Sequence, residues 1–141
     1  MTLCTKADLI TNIRTYKLNQ LADDDDGTIE LCIEQAESIV IDALYEHYDV
    51  PTIFSASGTD RNKSVLRWIK YIALYDIFER SPDEQVPDRV VKNYYDTMEI
   101  LKEISAGKIS VNLPHKVVIN CEGEVKTKFR GGGMLNRQII R

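Results

Sequence analysis

Asn62–Ser81, NKSVLRWIKYIALYDIFERS, is the stretch that decides the fold. Its apolar residues form one row at Leu66, Ile69, Ala73 and Ile77 and a second at Val65, Trp68, Ile72 and Tyr75. Both rows have helical spacing, so much more than half of the helix circumference is apolar. The cations Lys63, Arg67 and Lys70 fall along one narrow edge. A helix apolar nearly all round is buried by neighbours on several sides, and this one is read as the central core helix.

The walls lie on either side of it. Upstream, Ile29 to about Tyr48 carries the stripe Ile29, Ile33, Ala36, Val40, Ala43 and His47, with Glu30, Glu34, Glu37 and Asp42 placed away from it. Asp49-Val50-Pro51 ends that helix, because proline cannot continue it. PTIFSASGTDRNK then reads as a polar loop in which Ile53 and Phe54 tuck back, with Thr59 or Asp60 as the cap of the central helix. Downstream, Pro87 opens a last long helix whose buried stripe is Val90, Val91, Tyr94, Met98, Leu101 and Ser105, with Gly107 closing it. Thr5 caps a short first helix through Arg14, supported by Asp8 three residues on. TYKLNQLA, which follows, is compatible with one more turn of helix or with loop. The expected fold is mainly α: a small helical bundle of three to four helices over residues 1–110.

From Pro114 onward the composition changes. Lys116–Cys121 (KVVINC) and Val125–Phe129 (VKTKF) are strand-like around Glu122-Gly123-Glu124, and Gly131-Gly132-Gly133 precedes Met134, Leu135, Ile139 and Ile140. Residues 111–141 are therefore expected to form an extended C-terminal β-ribbon or arm. Lys116, Val118, Phe129, Met134, Leu135, Ile139 and Ile140 would meet a partner. The competing reading of this end is a terminus without fixed structure.

Composition narrows the function. A chain of 141 residues suits one domain with a real core. The net charge of −4 argues against a dedicated nucleic-acid binder. The charge is unevenly spread: from Pro114 on there are six Lys/Arg against two Glu. No apolar run reaches membrane-spanning length, and MTLCTKADL has no signal-peptide pattern. Cys4, Cys32 and Cys121 form no C-x-x-C pair and read as reduced thiols of a cytosolic protein.

Chemistry-bearing motifs fail their spacing tests. Asp23-Asp24-Asp25-Asp26-Gly27-Thr28-Ile29 imitates a calcium loop, with Asp24 and Asp26 at the third and fifth positions. Ala22 and Ile33 then occupy the first and twelfth positions, and neither ligates. The run is better read as an acidic turn that caps the following helix. His47 and His115 are isolated, and the S-A-S-G segment is neither a nucleophile elbow nor a phosphate loop. No enzyme, cofactor or metal site is expected. A divalent-ion enzyme built on Asp24 and Asp26 stays the weakest alternative.

The order of short motifs carries a resemblance. Leu21-Ala22-Asp23-Asp24-Asp25-Asp26-Gly27-Thr28-Ile29 is followed by Tyr48-Asp49-Val50-Pro51, Ala73-Leu74-Tyr75-Asp76-Ile77-Phe78 and Ile104-Ser105-Ala106-Gly107-Lys108-Ile109. This succession, over Thr5–Ser110, resembles the small phage proteins of the head-morphogenesis region of Mu-like prophages. The chain departs from them in its long Ile53–Arg61 loop and its KVVINC tail. The resemblance implies a non-enzymatic neck subunit, similar to head-tail connector adaptors. Such a subunit forms a ring homo-oligomer beside the portal and grips neighbouring connector proteins with an arm. It implies the virion neck, and the host cytoplasm during assembly, as its location, with no membrane and no tight nucleic-acid binding. A ring needs a heterologous contact, and Lys63, Arg67 and Lys70 facing Glu30, Glu34 and Glu37 of a neighbour would supply one. The alternative is a small helical nucleic-acid-binding regulator that meets phosphate with Arg61, Lys63, Arg67, Lys70 and the basic tail.

Overall fold

The computed structural model describes residues 3–80, 85–119 and 125–127. Six helices run through them: α1 (Lys6–Leu9), α2 (Thr15–Leu21), α3 (Asp26–Leu44), α4 (Val50–Ser55), α5 (Lys63–Glu79) and α6 (Asp88–Ser105). The fold is mainly helical, with α3, α5 and α6 packed on one another and α1 against both α3 and α5.

Helix α5 occupies the middle of this arrangement. Val65, Trp68, Ile69, Ile72, Ala73, Leu74, Ile77 and Phe78 are all buried. Each fully buried isoleucine contributes roughly 2–3 kcal/mol of hydrophobic stabilisation. Truncating Ile72 to alanine is expected to cost about 2–5 kcal/mol. The helix starts at Asn62, whose side-chain oxygen accepts from Ser64 N (2.9 Å) and Val65 N (3.1 Å). The cap expected at Thr59 or Asp60 is displaced because Gly58–Asp60 forms a separate 3₁₀ turn.

Several boundaries differ from expectation for identifiable reasons. The first helix stops at Leu9 and TYKLNQL forms its own helix, α2, so the N-terminal region contributes two short helices. Asp25, rather than Asp26 or Thr28, caps α3, accepting from Gly27 N at 3.0 Å and from the Thr28 hydroxyl at 2.8 Å. The start of the expected polar loop is helical. Asp49 caps α4, and Pro51 lies in its first turn, where a missing N–H costs nothing. Ile53 and Phe54 are buried, as a loop tucked against the bundle would also have made them. On α6 the buried residues are Val90, Thr97, Leu101 and Ile104, while Ser105 is exposed. The true stripe passes through a polar residue, Thr97, which a count of apolar positions skips.

Two chain reversals share one geometry. After α6, Gly107 sits at φ 77° and donates to Ile104 O, while Lys108 N donates to Glu103 O. After α2, Asp23 at φ 54° donates to Gln20 O, and Asp24 N donates to Asn19 O. Both satisfy the last helical carbonyls in the same way. The acidic run is thus used for closing one helix and opening the next.

Beyond α6 the packed body continues. Leu113 is buried and Val111 half-buried, so residues 111–116 belong to it. Two short strands, β1 (Val117–Ile119) and β2 (Val125–Thr127), pair antiparallel with Val117 opposite Thr127. These six paired residues are all of the expected ribbon that lies within the described residues. The turn at Glu122-Gly123-Glu124 and everything from Lys128 on lie outside the described residues.

Candidate assembly surfaces

The N-terminal segment is fastened by two buried or half-buried acids. Asp8 accepts from Arg61 through Nη1 (2.7 Å) and Nη2 (3.2 Å), and from the Thr5 backbone (2.8 Å). Arg61 Nη1 also donates to Leu3 O at 2.9 Å. Burial pushes the Asp8 carboxyl up. The hydrogen bonds from Arg61 and Thr5 outweigh that and hold it below the ordinary value.

Glu37 is only 4% exposed, and its carboxylate accepts from Leu3 N and Cys4 N. Burial raises its pKa in spite of those two bonds. The acidic face expected at Glu30, Glu34 and Glu37 therefore loses Glu37, which is committed to the interior. Glu30 and Glu34 are exposed and border a groove of about 210 Å³ beside Cys4, Thr5 and Lys6. Lys6 is already paired with Asp26 at 2.6 Å.

The basic edge of α5 is divided in the same manner. Lys63 and Arg67 are exposed, whereas Lys70 Nζ donates to Thr11 Oγ1 at 3.1 Å and Arg61 is held by Asp8. Two of the four cations in the nucleic-acid reading are thus engaged within the fold.

The segment after α6 is clasped to the end of α3. The Tyr48 ring stacks on His115 (centroids 5.0 Å), and its hydroxyl accepts from Val111 N at 3.0 Å. Asp49 N donates to Pro114 O at 2.9 Å, and Lys116 N donates to His47 O at 3.1 Å. Lys116 Nζ reaches Tyr45 O (3.3 Å) and lies 4.2 Å from the centre of its ring. His47 is buried with Nε2 3.2 Å from Ser105 O. Both histidines, 68 residues apart, belong to one clasp, a relationship that no local motif announces.

Of the remaining arm residues, only the backbone of Val118 is placed, opposite Lys126. Phe129, Met134, Leu135, Ile139 and Ile140 lie outside the described residues. So does Cys121. Cys4 and Cys32 are free and buried, and burial first, with Asp8 and Glu37 adding to it, pushes the Cys4 thiol up to about 12. Among the described residues no group of three His, Cys, Asp or Glu side chains is placed to hold a metal ion. No helix among them is long and apolar enough to cross a membrane.

A last surface lies around the C-terminal half of α5. Tyr75 and Tyr94 stack with centroids 4.0 Å apart, and Tyr95 meets both edge-on. On the side of α3, a cleft of about 410 Å³ is lined by Leu31, Cys32, Gln35, Asp76, Glu79 and Arg80.

These features define a mainly helical bundle with charged and aromatic exposed faces and a C-terminal segment clasped to one end. The family model described as Bacteriophage Mu, Gp36 matches residues 3–128, and the chain belongs to that family. It is a Mu-like phage protein. The match runs past Ser110 and includes the KVVINC segment, which the motif resemblance had left outside. No curated protein sequence matches the chain.

Proposed function

We propose that the chain is a non-enzymatic structural subunit of the neck of a Mu-like phage or prophage, assembling as a ring beside the portal. Membership of the phage family over residues 3–128 is the observation that carries this reading. Surface chemistry supports it. Residues before Pro114 are strongly acidic, and an acidic body can flank a DNA channel without adhering to phosphate. Exposed Glu30 and Glu34 on α3 and exposed Lys63 and Arg67 on α5 are complementary faces for a heterologous contact. The clasp at Tyr48 and His115 gives the C-terminal segment a fixed point of departure from which it reaches the portal or a neighbouring connector protein.

Depletion of the protein during phage growth is the test. Filled heads and free tails that fail to join are expected. Normal tailed particles lacking the protein would overturn the proposal.

A further inference from the structure

The cleft between α3 and α5 is lined by two carboxylates, Asp76 and Glu79, and one cation, Arg80. Asp76 is half-buried, and its carboxyl is raised by burial first and then by the nearby charge of Glu79. Among the described residues Asp76 meets no cation. Arg80 borders the cleft, but its Nη1 is directed to Leu21 O at 3.5 Å. Glu79 is exposed at the edge of the cleft. On the α3 side the rim is Leu31, 54% exposed, and on the α6 side of the same turns of α5 lies Tyr95, 59% exposed. Two carboxylates beside an exposed leucine suit a segment that combines arginine with aliphatic side chains.

The chain itself contains such a segment. Residues 128–141, KFRGGGMLNRQIIR, carry four cationic and no acidic side chains, together with Met134, Leu135, Ile139 and Ile140. We infer that the α3–α5 cleft receives residues 128–141 of a neighbouring copy, with an arginine of that segment meeting Asp76 and Glu79 while its aliphatic residues cover Leu31.

A head-to-tail ring favours the neighbour over the same chain. The clasp holds Lys116 at the C-terminal end of α3, beside Tyr45. The cleft is on the N-terminal half of α3, about 20 Å away along the helix from Leu31 to Leu44. Departure point and receptor at opposite ends of one subunit are what a head-to-tail ring requires. Because β2 returns the chain to a point opposite Val117, the 14 residues after Thr127 set the reach, roughly 45 Å when extended, enough to meet an adjoining bundle. The inference rests on the ring reading and adds to it the identity of the arm's receptor.

A photo-crosslinking residue placed at Leu31 of the full chain tests it in assembled particles. Mapping by mass spectrometry should find residues 128–141 joined to Leu31 in a product of dimer mass. The paired reversal D76R/E79R should reduce that product at least about tenfold, and adding R137E/R141E should restore it. D76N/E79Q, which alters no side-chain size, should weaken it as well and serves if the reversal does not fold. A product of monomer mass, attachment elsewhere, or insensitivity to these changes would overturn the inference while leaving the neck reading intact. Absence of the protein from particles whose necks are complete would overturn both.

Discussion

Tyr48 and His115 stack at the end of α3 with ring centroids 5.0 Å apart, joining the first half of the chain to the segment that leaves the bundle. The Tyr48 hydroxyl accepts from Val111 N, so this buried ring holds the segment by both its face and its edge. Y48F should lower stability by about 1–2 kcal/mol, because it leaves that N–H without its partner. Limited proteolysis should cut Y48F faster between residues 111 and 116. Equal rates for Y48F and wild type would show that the clasp does not restrain the segment.

Acid should weaken the attachment of the N-terminal segment. The Asp8 carboxyl has a folded pKa below its unfolded one, so its contribution is present above the unfolded value, near pH 3.9, and disappears as pH falls through the folded value. D8N should remove this acid-sensitive part of the stability profile. Its cost at neutral pH should be about 1 kcal/mol, small because the pair is partly open to solvent. Thermal melts of wild type and D8N between pH 2 and 7 measure both effects.

Glu37 has the opposite sign. Its folded pKa is raised, so the folded state binds more protons between the unfolded and folded values, and stability falls as pH climbs through that window. E37Q keeps an oxygen for Leu3 N and Cys4 N and should abolish this slope with little loss at neutral pH. E37A leaves both donors unmet and should cost about 1–3 kcal/mol. Chemical denaturation of the two variants separates the roles of shape and charge.

These cases show what was readable in advance. α5 was legible because its apolar residues surround it, a pattern only a buried helix satisfies. The caps were less so, since four consecutive aspartates are each competent and only the backbone conformation selects Asp25: Asp23 and Asp24 are left-handed and Asp26 is already helical. Glu37 had a usable signal: it lies four residues after Ile33 and three before Val40, on the buried stripe, but its charge outweighed its position. Thr97 was hidden on α6 because a count of apolar positions passes over its hydroxyl. The clasp had no local signal, because Tyr48 and His115 meet only through the packing of α6 against α3 and the turn that follows α6. The exposed charges that carry the assembly reading were visible as residue types. Their division into free and engaged groups depended on neighbours distant in sequence.

The acidic run should behave as a cap and not as a chelator. D25A should melt below wild type, whereas D25N, an equally good N-cap, should melt with it. D23G should melt no lower than wild type, because Asp23 occupies a left-handed conformation that glycine adopts freely. A D23G protein markedly less stable than wild type would assign Asp23 a contact beyond the turn.

Cryo-electron microscopy of the mature particle, averaged about the portal axis, tests the central claim most directly. The account predicts a ring of these helical bundles immediately beside the portal, each copy with α5 at its centre. Particles whose neck density is complete without this bundle, or in which it lies elsewhere, would contradict it.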